Sequence, residues 1–216
     1  MSHITLVRHG QANTGARDEI SYDRLSDLGH RQARWLGEYL RDSGPEHARV
    51  YCGTLTRHVE TATAMGYPDA IRDDRLNELQ YFTLAQLLQA QQGIAIPQDR
   101  EGFVDHLPRV FAAWQRDEIA APPERFEAFE TRVRAALEEI AQGPGPALVI
   151  TSGGLISMAM RQVLGLDTAA MARLALAIMN TSLHRLFPIG GRLSPVLFNA
   201  VPHLDRPDRQ FAQTHL

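Results

Sequence analysis

Residues 4–10, ITLVRHG, decide the fold class of this 216-residue chain. A short, mostly apolar run leads into Arg8-His9-Gly10, a pattern typical of a buried strand that ends in a loop. Residues 147–154, ALVITSGG, repeat this pattern and lead into a segment of helical length. Between the two stretches, apolar residues recur at helical spacing. Strands that alternate with helices predict a mostly parallel sheet with both faces covered.

This alternation predicts an α/β fold: a three-layer sandwich with a mostly parallel central sheet and helices on both faces, in a single domain over residues 1–216. The Gln-rich, weakly patterned residues 81–123 are predicted as two short helices that form a small helical cap insertion. Three apolar runs in the last third, residues 174–179, 183–187 and 193–198, are predicted as strands.

Composition excludes several classes of protein. The 22 Lys and Arg against 25 Asp and Glu give a net charge of −3, so no bulk positive field exists to hold nucleic acid or an anionic membrane. The single cysteine, Cys52, excludes an internal disulfide framework and a multi-cysteine metal site. No metal-ligand spacing is present, and neither a metal nor a cofactor is predicted. Without a membrane-span-length apolar run or a basic, apolar leader, we expect a cytoplasmic protein with no nucleic-acid or membrane partner. The sequence leaves the oligomeric state open.

Polar residues that suit an anion follow the two predicted strands. Ligands gather at the carboxyl ends of the strands in such a sheet, and both Arg8-His9-Gly10 and residues 151–153 fall there. An arginine supplies a permanent charge and a planar fork for phosphate oxygens, and a histidine supplies a nucleophile or base. Glycine lets the backbone approach closely. The sequence therefore predicts an anion-binding edge of the sheet.

Residues 6–11, LVRHGQ, resemble the signature of the histidine phosphatase superfamily, which includes the cofactor-dependent phosphoglycerate mutases. Further stretches similar to its conserved blocks follow in the family's order: residues 22–33, 50–62, 75–79 and 148–154. The resemblance runs from Ile4 to about Phe198 and implies a single phosphoglycerate mutase-like α/β domain.

The resemblance also implies roles for individual residues. His9 would attack phosphorus and form a phosphohistidine that water later hydrolyses. Arg8 and Arg57 would bind the non-bridging oxygens of the phosphoryl group. Glu78 would donate a proton to the leaving alcohol and then take one from the attacking water. The expected activity is hydrolysis of phosphomonoesters, with a phosphorylated small molecule or phosphate as the bound partner.

Ser152 stands where the resemblance places the family's second catalytic histidine. A serine hydroxyl still donates one hydrogen bond, and Gly153 at the start of the following helix offers backbone N–H groups to phosphate. Replacing a charged donor by a neutral one costs on the order of 1–4 kcal/mol of transition-state stabilisation, which predicts reduced activity. His184 and His203 are candidates to replace the missing donor. Other histidines are expected to be exposed or to cap helices: His30, His47, His58 and His106.

Two other functions stay open. Arg8, His9 and Arg57 also fit a catalytically impaired protein of this fold that binds phosphate ligands. A phosphoglycerate mutase is disfavoured, because residues 12–22 lack the Trp-bearing pattern of the mutases. The substrate is not identified by the sequence, and residues 81–123 are expected to set selectivity. Four aromatic residues of that segment either line a pocket or pack the cap, and packing is the expected role: Phe82, Phe103, Phe111 and Trp114.

Overall fold

The computed structural model describes residues 2–43 and 47–215, apart from the side chain of Ser43. Its strands are β1 (Ile4–Arg8), β2 (Arg49–Cys52), β3 (Ile71–Arg72), β4 (Ala147–Thr151), β5 (Leu183–Ile189) and β6 (Arg192–Ala200). Its helices are α1 (Glu19–Tyr22), α2 (Asp27–Ser43), α3 (Thr56–Ala64), α4 (Tyr81–Gln92), α5 (Arg100–Gln115), α6 (Phe126–Gln142), α7 (Gly153–Leu164) and α8 (Thr168–Ala177).

These strands form one sheet in the order β3-β2-β4-β1-β5-β6. Strand β1 pairs in parallel with β4, β4 with β2, and β2 with β3. Strand β5 is antiparallel to both β1 and β6, so the sheet ends in a hairpin. The predicted α/β class with a mostly parallel sheet is confirmed.

Alternating residues of the two central strands build the predicted layers. Leu6 of β1 and Val149 of β4 face a core formed largely with α4 to α8. Val7 and Ile150, their neighbours in sequence, face a second core formed with α2 and α3. Because successive strand residues point to opposite faces, near-continuous apolar runs are what a sheet covered on both sides requires.

The strand predicted over residues 174–179 is wrong, because most of that stretch lies in helix α8. The Asp167 side chain caps this helix by accepting a hydrogen bond from the backbone N–H of Ala170 at 2.7 Å. Thr168, Met171 and Ala172 are its buried residues, which is the spacing of one helical face. The other two strands predicted in this region are present as β5 and β6.

Helices α4 and α5 fill the segment that was predicted to hold two short helices. Trp114 of α5 packs against Phe126 and Phe129 of α6, with ring centroids 5.1 and 5.5 Å apart. This part of the segment therefore belongs to the main core, while its origin as an inserted cap stays a prediction. Within residues 2–43 and 47–215, no helix is long and apolar enough to cross a membrane.

Candidate active site

The carboxyl ends of β1 and β4 lie side by side and open into a cavity of about 470 Å³. Arg8 pairs with Thr151 in the sheet, and the His9 N–H donates to the Thr151 carbonyl at 2.8 Å. Five of the predicted site residues line this cavity: Arg8, His9, Arg57, Glu78 and Gly153. Topology therefore brings together side chains that are far apart in the sequence.

Burial and a hydrogen bond at Nδ1 hold His9 as a neutral imidazole. Its Nδ1 lies 2.7 Å from the Gly10 carbonyl oxygen, and since a carbonyl only accepts, Nδ1–H is the donor. Burial, aided by the positive charges of Arg57 and Arg8, lowers the pKa of His9 well below its ordinary value. In the neutral ring Nε2 then carries the lone pair, so His9 has the protonation state of a nucleophile.

Gly10 allows the close approach that the sequence predicted. A Cβ at this position would lie 2.5 Å from the Gly29 carbonyl oxygen, a distance that real Cβ atoms do not adopt. The Gly10 N–H also donates to the Thr61 hydroxyl on α3 at 3.1 Å. The loop after β1 is thereby fixed against both α2 and α3.

Two guanidinium groups border the cavity, and each is fixed by other contacts. Arg8 Nη1 donates to the carbonyl oxygens of Ile178 and His215, the latter at 2.7 Å. Arg57, which is buried near the start of α3, donates from Nη1 to Asp23 Oδ1 at 3.0 Å. Its guanidinium carbon lies 5.0 Å from the centroid of the Tyr22 ring. Both groups are therefore oriented before an anion arrives.

Asp23 also fixes the helix that carries Arg57. Its carboxylate accepts hydrogen bonds from the backbone N–H of Thr56 at 2.9 Å and of Arg57 at 3.2 Å. The N-cap residue of α3, Leu55, has no side-chain acceptor. A carboxylate from a distant loop thus caps α3 and satisfies its first N–H groups.

Glu78 reaches the cavity from the loop that follows a short 3₁₀ turn, Asp74–Leu76. Its Oε2 accepts from the Gly154 N–H at 2.9 Å, and its Oε1 accepts from its neighbour Leu79 at 3.0 Å. A Cβ at Gly154 would lie 2.3 Å from Oε1, so glycine at this position leaves room for the carboxylate. Each carboxyl oxygen keeps a second lone-pair site for a proton.

Ser152 occupies the N-cap position of α7, but its side chain makes no capping hydrogen bond. The side chain is fully buried, and Oγ lies 2.6 Å from Nε2 of His58. Ser152 is thus behind the cavity wall, whereas its neighbour Gly153 forms part of that wall. Phosphate binding by these two residues stays a prediction.

The arrangement of His9, two guanidinium groups and a carboxylate is consistent with the sequence blocks. The model of the histidine phosphatase superfamily (branch 1) matches residues 4–201. The chain belongs to this superfamily.

Curated relatives of this histidine phosphatase chain include mutases and a bifunctional enzyme. A 2,3-bisphosphoglycerate-dependent phosphoglycerate mutase of Corynebacterium diphtheriae is 31% identical over 136 residues, 59% of this chain and 51% of the relative. The 6-phosphofructo-2-kinase/fructose-2,6-bisphosphatase 1 of Rattus norvegicus is 26% identical over 132 residues, 61% of this chain and 26% of the relative. The match therefore spans about half the length of the corynebacterial mutase and about a quarter of the rat enzyme.

Solved structures of phosphatases share the fold of this chain. A phosphoserine phosphatase variant from Entamoeba histolytica, in complex with phosphoserine, has a TM-score of 0.69 at 14% identity and covers 94% of this chain and 100% of its own. A mycobacterial glucosyl-3-phosphoglycerate phosphatase in complex with VO3 has a TM-score of 0.64 at 25% identity, with 92% and 98% covered. These similarities show that the chain shares the fold of the two phosphatases.

The expectation that His58 is exposed or caps a helix is wrong. His58 is fully buried, and its ring centroid lies 5.8 Å from that of His9. The expectation also fails for His106, which is buried with Nδ1 at 2.9 Å from the Tyr81 hydroxyl. No local pattern marks His58, because only the packing of α3 against the loop after β1 brings it to the site.

His184 and His203 serve other contacts. His184 Nε2 lies 2.9 Å from the Ser182 hydroxyl, and His203 Nε2 lies 2.9 Å from the Thr181 hydroxyl. Both rings are buried, which lowers the pKa of each to about 3. Neither ring is part of the cavity wall, so neither supplies the missing donor there.

Sequence reasoning missed several polar residues of the cavity wall, among them Glu19 and Asn180. Glu19 Oε1 accepts from the Phe82 N–H at 2.9 Å at the start of α4, and burial raises the pKa of its carboxyl. Asn180 Nδ2 donates to the His9 carbonyl at 3.3 Å. An Asn before β5 and a Glu in a four-residue helix carry no recognisable local signal.

Aromatic side chains form part of the cavity wall. Phe82, Phe103 and Phe111 line it together with Tyr22, while Trp114 packs in the core. Among the residues described, no group of three or more His, Cys, Asp or Glu side chains lies in position to hold a metal ion.

Proposed function

We propose that this protein is a phosphomonoesterase that acts through a phosphohistidine on His9. The observation that carries the proposal is the state of His9: a buried, neutral ring anchored at Nδ1 beside two fixed guanidinium groups. A neutral Nε2 attacks phosphorus directly, and the ester P–O bond breaks as the P–N bond forms. One difficult displacement thereby becomes two easier ones.

Arg8 and Arg57 supply the electrostatic part of this function. A phosphoryl group on His9 Nε2 brings negative charge beside both guanidinium groups, which are already oriented by protein acceptors. Donors that need no reorganisation stabilise the developing charge most effectively in a water-poor site. The proposal therefore assigns both residues to the non-bridging oxygens.

Glu78 handles the protons in the proposed cycle. In its protonated form it gives a proton to the leaving alcohol, and the resulting carboxylate then takes a proton from the water that attacks the phosphohistidine. The P–N bond breaks in that second step, inorganic phosphate leaves, and His9 returns to its neutral form. The lone-pair sites left free by Gly154 and Leu79 are where that proton resides.

The cavity has room for more than phosphate. Its volume of about 470 Å³ lies within the ~300–1,000 Å³ range of small-molecule sites. We assign the organic part of the ester to the aromatic part of the cavity wall, where Phe82 and Phe103 provide apolar surface. The substrate is thus a phosphorylated small molecule, and a cytoplasmic location belongs to the same proposal.

A radiolabelled phosphomonoester tests the intermediate. Denaturing quench should leave acid-labile, base-stable phosphate on the wild-type protein and none on His9→Ala, while the wild type releases inorganic phosphate. Label that persists on His9→Ala would contradict the assignment. Tight binding dependent on Arg57, without phosphate release above the His9→Ala control, would favour the phosphate-binding alternative.

A further inference from the structure

A second imidazole lies next to the proposed nucleophile, and the cycle above does not use it. His58 is the third residue of α3, and its ring centroid is 5.8 Å from that of His9. Burial and the charge of Arg57 lower its pKa well below the ordinary value, so the ring is neutral in the resting protein. Arg57 and His9 are the ionisable groups that interact with it.

The neighbours of His58 are arranged to accommodate its ring. Gly53 packs against it so closely that a Cβ there would lie 2.2 Å from Nδ1. Ser152 lies at the N-cap position of α7, but its hydroxyl forms a hydrogen bond with Nε2 of His58 instead of capping the helix. In the described part of the chain Nδ1 has no hydrogen-bond partner, an arrangement that destabilises the folded state. A core filler of similar size would avoid that cost.

We propose that His58 is a positioning residue for phosphoryl transfer, which acts through Ser152 and through the ring of His9. The inference rests on the proposed phosphatase activity. The Gly10 carbonyl anchors one edge of the His9 ring, and the His58 ring, itself fixed by Ser152, restricts its rotation. In-line attack depends on such alignment, because a displacement of ~1 Å can cost ~10²-fold in rate.

The geometry also shows that His58 occupies the space of an imidazole at position 152. In the rotamer of the present serine, a histidine at 152 would place Cγ near the site of Oγ, only 2.6 Å from His58 Nε2. The two rings exclude each other in a fully buried region. Ser152→His alone therefore overpacks the site, whereas the double variant with His58→Ala has room for one ring.

Turnover and vanadate binding together test the inference. Vanadate is a mimic of the transferring phosphoryl group, so its affinity reports transition-state alignment, while inorganic phosphate reports ground-state binding. His58→Ala should lower kcat and vanadate affinity by at least about tenfold, with phosphate affinity and KM within about threefold. Ser152→His should be equally impaired, and the double variant should recover at least about tenfold over His58→Ala.

A matched control is His203→Ala, which removes a buried ring that lies 2.9 Å from a hydroxyl and is not part of the cavity wall. It should change stability but leave kcat and vanadate affinity near wild type. If His58→Ala does not fold, Ser152→Ala gives the same test, with losses in the same direction. Full activity and full vanadate affinity in His58→Ala and Ser152→Ala, or no recovery in the double variant, would overturn the inference. If the wild type hydrolyses no ester but the variants still change vanadate affinity as expected, the phosphatase proposal is refuted and the positioning role is supported.

Discussion

Gly154→Ala tests the role of Glu78 without changing an ionisable group. A Cβ at position 154 would lie 2.3 Å from Glu78 Oε1, 3.0 Å from its carboxyl carbon and 2.8 Å from Leu79 Cδ2. The Glu78 side chain must therefore rotate away. It then loses the hydrogen bond that it accepts from the residue 154 N–H, which is 2.9 Å long in the wild-type protein. The substitution displaces the proposed general acid from the cavity wall.

The effect on activity should exceed the effect on stability. A lost hydrogen bond to a charged group costs ~1.5–3 kcal/mol, and alanine in place of glycine within helix α7 returns up to ~1 kcal/mol. The net loss of unfolding free energy is then ~0.5–3 kcal/mol. General acid catalysis contributes ~10²–10⁴-fold, so kcat for an alkyl phosphate should fall by at least ~10²-fold. An aryl phosphate, whose leaving group needs little protonation, should lose less than ~10-fold.

The assay compares kcat for the two esters in Gly154→Ala and in Gly153→Ala, with urea unfolding of both. Gly153→Ala is the matched control, because a Cβ there would make only ordinary contacts, 3.6 Å to Arg8 Nε and 3.8 Å to the Ala175 carbonyl oxygen. It should stay within about threefold of wild type for both esters. An equal loss for alkyl and aryl esters in Gly154→Ala, or no loss, would refute the assignment of Glu78.

Three further outcomes follow from the structure. Arg57→Lys keeps the charge but loses the planar guanidinium, which donates from Nη1 to Asp23 and can bind phosphate through more than one N–H. Calorimetry should show inorganic phosphate binding weakened about tenfold, with Arg100→Lys at the exposed cavity rim as the control, and unchanged affinity would contradict the phosphate-binding role. Phe103→Ala should raise KM for aryl phosphates about tenfold and leave kcat for small alkyl phosphates within about threefold. An equal change in KM for both kinds of ester would contradict the assignment of Phe103 to the organic part of the substrate. The free energy of unfolding should fall as the pH is lowered, because the pKa values of His184 and His203 drop from 6.5 in the unfolded chain to about 3 in the folded protein. The unfolded chain therefore binds protons more strongly, and stabilisation present above pH 6.5 is lost by about 2 kcal/mol per histidine near pH 5. A urea midpoint that stays flat over that range would contradict this expectation.

Patterns that span one element predicted much of the fold. The apolar runs of β1 and β4 are buried on both faces, and their composition alone indicates central parallel strands. Helix α8 was missed because residues 174–179, which overlap its C-terminal part, are all apolar, and a short apolar run does not distinguish strand from helix. Asp167, the capping residue, was the available signal for the helix.

The candidate site was predictable to the extent that it follows strand ends and family blocks. Arg8, His9, Arg57 and Glu78 do line one cavity. His58 was not predictable as a neighbour of His9, because its position depends on the space that Gly53 leaves at the end of another strand. Such packing between distant elements leaves no periodic trace in the sequence.

The two guanidinium groups that border the cavity link anion binding to the state of the nucleophile. In the resting protein Arg57 and Arg8 add to burial in lowering the pKa of His9, which keeps Nε2 unprotonated at neutral pH. Without these two charges a histidine at this position would hold its proton to higher pH, although burial would still favour the neutral ring. In the proposed function, a phosphate ester that arrives at the arginines meets a ring that is already neutral, and the Gly10 carbonyl leaves Nε2 as its reacting nitrogen. In the proposed cycle, the charges that bind the phosphoryl group therefore also help to keep His9 neutral for the displacement, with a serine at position 152.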